Sequence, residues 1–272
     1  MTSKPIVLNS FALSHYCETA RWALDYKGVP YTEKSWAPLL HLLRTWRLPK
    51  TYTPIIRVDG EAIQESGDIC AYLERRFPNP PLIPESHRKA VLHEAERART
   101  IGPHVRRLAY FALGDDPARL EEGWRMNLSG GELGLQRIVF QMSRRMVFKV
   151  FQVNEDGVAE SEAAVRAFLD QTSQRLPPEQ EYLVADRFTL ADLTLAAMLS
   201  PLVRPPEHPF YPRMRPGKGS DRLMRAFEGH PALAYVRRTY AEHRRRNASV
   251  GARANPCSPA SASSNHEADS PP

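Results

Sequence analysis

The stretch TPIIRVDGEAIQESGDICAYLERRF, residues 53–77, decides the fold. Ile55 to Val58 and Glu61 to Gln64 are strand-like runs, and the Asp59-Gly60 pair between them tolerates the positive φ angles of a tight type I′ turn. A hairpin is predicted there. From Ser66 onward, Ile69, Tyr72, Leu73 and Phe77 share one face of a helix that Pro78 ends. Upstream, Ile6 to Phe11 is a short β-compatible run. Cys17, Ala20 and Leu24 then recur at helical spacing, with Lys27-Gly28 and Pro30 as a stop. Tyr31 to Trp36 reads as a second strand, and Leu39 to Trp46 as a short helix ended by Pro49. The predicted order is βαβαββα.

Downstream, Pro78, Pro80, Pro81 and Pro84 crowd seven positions, which excludes helix and central strand and predicts a semi-rigid linker. Beyond it the apolar period is helical: Val91, Ala95 and Ala98; Leu135, Ile138, Met142 and Met146; Val165, Phe168, Leu169 and Leu176. Asn247 to Pro272 is rich in Ser, Ala, Pro and Asn, too poor in large apolar residues to offset its ordering entropy. The expected organisation is a first domain over 1–80, a linker over 81–85, an all-helical domain over 86–246 and a disordered tail over 247–272.

Composition narrows the function. The longest apolar stretch, Leu190 to Val203, is interrupted by Asp192 and Pro201 and is shorter than the ~20 residues that span a bilayer. No membrane association is expected. Met1 to Pro5 lacks the features of a secretory signal, so a cytoplasmic location is expected. Cys17, Cys70 and Cys257 lie far apart without metal-ligand spacing, and no metal site is expected. The net charge of +6 is spread among 31 acidic residues, so nucleic acid is not an expected partner. The densest basic cluster, Arg237, Arg238 and Arg244 to Arg246, suits the end of a helix.

A βαβ unit, a hairpin and helix, a proline-rich linker and a helical domain together are similar to the layout of cytosolic glutathione transferases. Four motifs carry the resemblance in the expected order: Ser14-His15-Tyr16-Cys17, Thr53-Pro54-Ile55, Gln64-Glu65-Ser66 and Thr189-Leu190-Ala191-Asp192. The resemblance implies an α+β thioredoxin-like N-terminal domain and an all-α C-terminal domain. It also implies glutathione as co-substrate and a homodimer. His15 departs from the family pattern, where proline is common, and leaves the class open.

Ser14 lies where a strand hands over to a helix, so backbone N–H groups and the positive end of the helix dipole face an anion there. A thiol of pKa about 8.5 needs roughly 1.4 kcal/mol of preferential thiolate stabilisation per unit of depression, which one hydrogen bond to a charged acceptor supplies. Ser14 is therefore the candidate catalytic residue, activating the sulfur of glutathione without attacking anything itself; its other role is to cap the helix. Thr53 and Pro54 resemble the family's cis turn that pairs with the cysteinyl main chain of glutathione. Glu65 and Ser66 match the motif holding its γ-glutamyl end, Ser66 taking the carboxylate and Glu65 the amino group. Thr189 and Asp192 read as a structural capping box. Tyr110, Phe111, Trp124 and Phe148 are candidates for an electrophile pocket or for core.

The expected function is a glutathione transferase-like enzyme that presents the thiolate to a hydrophobic electrophile. Two rivals stand beside it. One is a non-catalytic binding module, favoured if His15 or the segment 102–160 fills the cleft; the other is a thiol reductase acting through Cys17, three residues after Ser14.

Overall fold

A computed structural model describes residues 5–126, 128, 130–176, 180–215 and 217–244. The first sheet strand, β1 (Ile6–Ser10), runs parallel to β2 (Tyr31–Ser35) and antiparallel to β3 (Ile55–Val58), which pairs with β4 (Glu61–Gln64) in the order β2-β1-β3-β4. Ile56 stands opposite both Leu8 and Ile63. The hairpin turn has φ 51° at Asp59 and 93° at Gly60, as its sequence requires. Helix α1 (His15–Tyr26) crosses between the parallel strands, and α3 (Ser66–Arg76) buries Ile69, Cys70 and Leu73. Helix α2 is shorter than its sequence pattern, covering only Leu42–Thr45, because Leu39 takes a left-handed φ of 70° that a helix excludes.

The proline-rich segment is docked against the protein. Leu82 and Ile83 are buried, and their N–H groups donate to the Glu74 carboxylate at 3.2 and 3.1 Å. Lys27 caps the carbonyls of Phe77 and Pro80 at 2.8 and 3.0 Å. The chain then continues as α4 (Arg88–Thr100), α5 (Gly102–Gly114), α6 (Pro117–Arg125), α7 (Gly131–Val150), α8 (Glu155–Arg175), α9 (Leu190–Val203), α10 (Lys218–Ala226) and α11 (Pro231–His243). The expected tail over 247–272 lies outside the described residues.

Every residue of α9 is buried, with α1, α4, α5 and α11 packed around it. Its start is the capping box read from the sequence. Asp192 accepts from the Thr189 N–H at 2.7 Å and hydroxyl at 2.8 Å, from the Leu183 N–H at 2.8 Å and from the Tyr235 hydroxyl at 2.5 Å. That satisfies a buried carboxylate with four donors, which is a fold-specifying role.

Two sequence readings change. Arg244 does stand at the end of α11, as its sequence suggests, but it is also buried: it is 5% exposed and reaches Glu18 at 2.6 Å and Asp25 at 2.8 Å on α1. Arg21, beside it, is paired with Glu18 and Glu33. Burial opposes charge on Glu18, but Arg244, His208 and Arg21 outweigh it and hold its carboxyl at about 2. This network joins α1 to the last helix and so fixes the N-terminal unit against the helical one. The second change concerns α7. Leu135, Ile138 and Met142 do share a helical stripe, but they are exposed, and the buried face is Gln136, Phe140, Ser143 and Val147.

Candidate functional site

Ser14 has extended backbone angles and caps α1, its hydroxyl oxygen accepting from the Cys17 N–H at 3.3 Å. A hydroxyl has one donor and two acceptor lone pairs, so this cap does not consume the Ser14 O–H, which also faces the Cys17 sulfur. Cys17 itself is fully buried. Its thiol donates to the Thr53 hydroxyl at 3.3 Å and accepts from the Phe11 N–H at 3.4 Å, and burial pushes its pKa up. These contacts tie the first turn of α1 to Thr53, and the Thr53–Pro54 bond is cis.

Glu65, which also lines the cavity, precedes α3 with φ 71° and ψ 138°, a conformation that costs a non-glycine residue about 1–3 kcal/mol and persists only where the surroundings enforce it. Its carboxylate is engaged by Lys50 and by the Tyr52 hydroxyl, the latter at 2.9 Å. Ser66 is the first residue of α3 rather than its cap, and it is 3% exposed. No side chain caps this helix start, so its first amides are available to an anion. Arg99 of α4 lies over it. A Cβ added to Gly67 would come within 2.2 Å of the Arg99 guanidinium, so the two lie in close contact.

These residues border a single cavity of about 690 Å³, lined by Ser14, Thr53, Pro54, Glu65 and Ser66 on one wall and by helices α5, α6, α7, α9 and α10 on the other. The volume lies in the range of small-molecule sites. His15 does not fill it. That ring is 3% exposed, tilted against Tyr16 with centroids 4.6 Å apart, and burial together with the charge of Arg106 lowers its pKa to about 3, so it is neutral. The Tyr16 ring leans on α5, where a Cβ at Gly102 would meet its hydroxyl at 2.2 Å, and burial raises its pKa. Of the four aromatic candidates, Tyr110 and Trp124 line the cavity, with ring centroids 6.3 Å apart; Phe148 packs behind Tyr110.

Sequence reasoning missed the arginines of this cavity: Arg99, Arg106, Arg119 and Arg204. They come from α4, α5, α6 and the end of α9, with no spacing that links them along the chain. Among the described residues there is no cluster of His, Cys, Asp and Glu suited to a metal ion, and no helix long and apolar enough to cross a membrane.

Comparison with known proteins agrees with this layout. Residues 8–81 match the glutathione S-transferase N-terminal domain and residues 136–217 the glutathione S-transferase C-terminal domain. A maleylacetoacetate isomerase of Dictyostelium discoideum is 28% identical over 51% of this chain and 69% of its own. Among solved structures, glutathione transferase GSTFuA2 of Phanerochaete chrysosporium superposes with a TM-score of 0.58 at 17% identity, covering 90% of this chain and 100% of its own. A bacterial maleyl pyruvate isomerase, a glutathione S-transferase of the Zeta class, gives 0.52 at 20% identity, covering 89% and 96%. At these identities the structural matches establish the fold, and the two domain matches, which together take in more than half of the sequence, establish the family. With a mixed four-stranded sheet carrying Ser14, Thr53 and Ser66 to one cavity under an all-helical unit, this chain belongs to the glutathione transferase superfamily.

Proposed function

We propose that the chain binds reduced glutathione along the N-terminal wall of the cavity and uses its thiolate on a small electrophile held against the helices. The observation that carries this reading is that Ser14, Thr53 and Ser66, distant in sequence, border the same cavity. The γ-glutamyl carboxylate is taken by the Ser66 hydroxyl and the uncapped amides of α3, with Arg99 adding charge. Glu65 receives the amino group, and the main chain of Thr53 pairs with the cysteinyl unit. The sulfur then lies beside Ser14, whose O–H donates to the thiolate while its lone pair keeps the cap on α1. Ser14 is the catalytic residue in this reading; it holds the thiolate without forming a bond to substrate.

Two outcomes are open to such a thiolate. Displacement or addition consumes glutathione, whereas addition followed by re-expulsion after rotation isomerises the substrate and returns glutathione. The relationship to a maleylacetoacetate isomerase favours the second. A homodimer and a cytoplasmic location belong to the same proposal. Against the non-catalytic rival, the cavity is open beside Ser14, with His15 only 3% exposed at its wall. The reductase rival is opposed by the burial of Cys17 and its raised pKa.

The test is isothermal titration of the full chain with reduced glutathione, for wild type and Ser66→Ala. Saturable binding that weakens about tenfold in the variant is expected, from the loss of a hydrogen bond to a charged group. Absence of binding to the wild type sinks the reading. Following free glutathione during turnover then separates the two chemistries, since isomerisation leaves its concentration unchanged.

A further inference from the structure

Helix α7 presents apolar side chains to water. Leu135, Ile138 and Met142 recur three and four residues apart, so they form one stripe, and Ile138 is 81% exposed. Arg145 and Lys149 continue that stripe, both exposed, and the exposed Arg137 flanks it. Beside this helix, Leu43 on α2 and Trp46 at its C-cap are exposed, Trp46 by 67%, and the Arg47 guanidinium lies over the Trp46 ring, 4.3 Å from its centroid. Two contacts hold these pieces together. Arg44, next to Leu43, pairs with Glu132, one turn before Leu135, and the Ser143 hydroxyl donates to the Pro38 carbonyl at 3.3 Å. Single exposed apolar residues are ordinary, but several gathered on one face mark an interaction surface.

Charge decides what covers it. From residue 34 to 50 there is no acidic residue, and from 131 to 150 only Glu132, which Arg44 engages. Arg47, Arg137, Arg145 and Lys149 form no ion pair among the described residues. A second copy of the chain fits poorly, because a two-fold interface sets a face against itself, here cation against cation. The chain's own end fits no better, since residues 247–272 hold Val250 as their one large aliphatic residue. A polyanion without an apolar interior leaves Ile138 and Met142 in water. An anionic bilayer meets both demands: its headgroups attract the cations, its acyl boundary takes the aliphatic stripe, and that boundary suits an indole ring.

We propose that the exposed face of α7, with Leu43 and Trp46, docks onto anionic lipid bilayers, the helix lying in the interface rather than crossing it. The expectation of no membrane association rests on the lack of a spanning segment, which leaves this mode untouched. Val150, at the end of α7, is both 65% exposed and part of the cavity wall, so a docked bilayer lies beside the cavity. The docking face is independent of the glutathione reading.

The experiment sediments the full chain with vesicles of phosphatidylcholine alone or with about a third phosphatidylserine, at about 0.1 M and about 1 M salt, and follows tryptophan emission. Wild type is expected to bind the anionic vesicles at least about tenfold more tightly than the neutral ones at the lower salt, and to lose that preference at the higher. Emission shifts to the blue as the Trp46 indole leaves water, and Trp46→Phe removes the shift. Ile138→Glu, and Arg145→Gln combined with Lys149→Gln, replace exposed side chains and should melt as wild type does. Each is expected to weaken binding about tenfold or more. No binding to the anionic vesicles, equal binding to the neutral ones, or undiminished binding by these variants overturns the proposal. So does a wild type that sediments without lipid as a dimer and becomes a monomer in Ile138→Glu, since a second copy then covers this face.

Discussion

Replacing Ser14 by alanine removes two things that the structure places on one oxygen: the cap on the Cys17 N–H at 3.3 Å and the O–H proposed to hold the thiolate. The cap is worth about 0.5–2 kcal/mol of stability. A hydrogen bond to a charged acceptor is worth about 1.5–3 kcal/mol, and at about 1.4 kcal/mol per unit that sets a depression of roughly 1–2 units in the pKa of bound glutathione. From a free thiol near 8.5, wild type is thus expected to titrate near 6.5–7.5, and Ser14→Ala to return to within about half a unit of the free value. Ser14→Asp separates the two roles, because a carboxylate still accepts from Cys17 but repels a thiolate. Its melting temperature should stay near wild type while the bound thiol titrates at or above the free value. The assay is the ultraviolet absorbance of thiolate against pH at saturating glutathione, with thermal unfolding alongside. A bound thiol pKa unchanged in Ser14→Ala refutes the assignment, and Ser14 is then a cap only.

Other expectations follow from the buried groups. His15 and His208 are buried neutral with pKa values lowered to about 3, mainly by burial, so the unfolded chain takes up protons first as pH falls below about 6.5. Stability is full above that pH and is lost toward 3, by up to about 1.4 kcal/mol per pH unit for each histidine. Glu18, held at about 2, adds a loss in the same direction below about 4.5. Urea unfolding between pH 7.5 and 4.5 checks the slope, and a flat profile contradicts the burial of both rings. Ending the chain after residue 246 should leave the unfolding midpoint unchanged. Ending it after 243 also removes Arg244, leaves Glu18 and Asp25 short of a partner and should cost about 3–5 kcal/mol. Cys17→Ala is expected to lose about 1–2 kcal/mol of stability with its two weak hydrogen bonds but to keep glutathione-dependent turnover; loss of turnover with glutathione binding intact restores the reductase reading. If the chain pairs with itself, the exposed Leu43, Trp46, Ile138 and Met142 offer one apolar surface for it, on α2, its C-cap and α7, which Arg44 and Glu132 bridge. Ile138→Glu should then shift the sedimentation coefficient from dimer toward monomer, and an unchanged value places the contact elsewhere.

Where local chemistry dictates geometry, the sequence was sufficient. Asp59-Gly60 has few alternatives to a tight turn, Pro78 cannot continue a helix, and Thr189 with Asp192 satisfies the donors of a helix start from within four residues. The candidate glutathione wall was legible for the same reason, since Ser14, Thr53 and Ser66 sit at turns and helix starts whose local rules are strong. Periodicity, by contrast, reports that a helix has an apolar stripe without saying what covers it, which is why Leu135, Ile138 and Met142 were readable as helical and not as exposed. Nor does any local rule distinguish a solvated arginine from a buried one. Arg244 finds Glu18 across more than two hundred residues, and Arg119 finds the Ser220 hydroxyl across 101. Long-range burial decides where charge goes, because the cost of desolvating a guanidinium depends on its neighbours in space; the walls of the cavity, and the chemistry they suit, were therefore settled only by the tertiary structure.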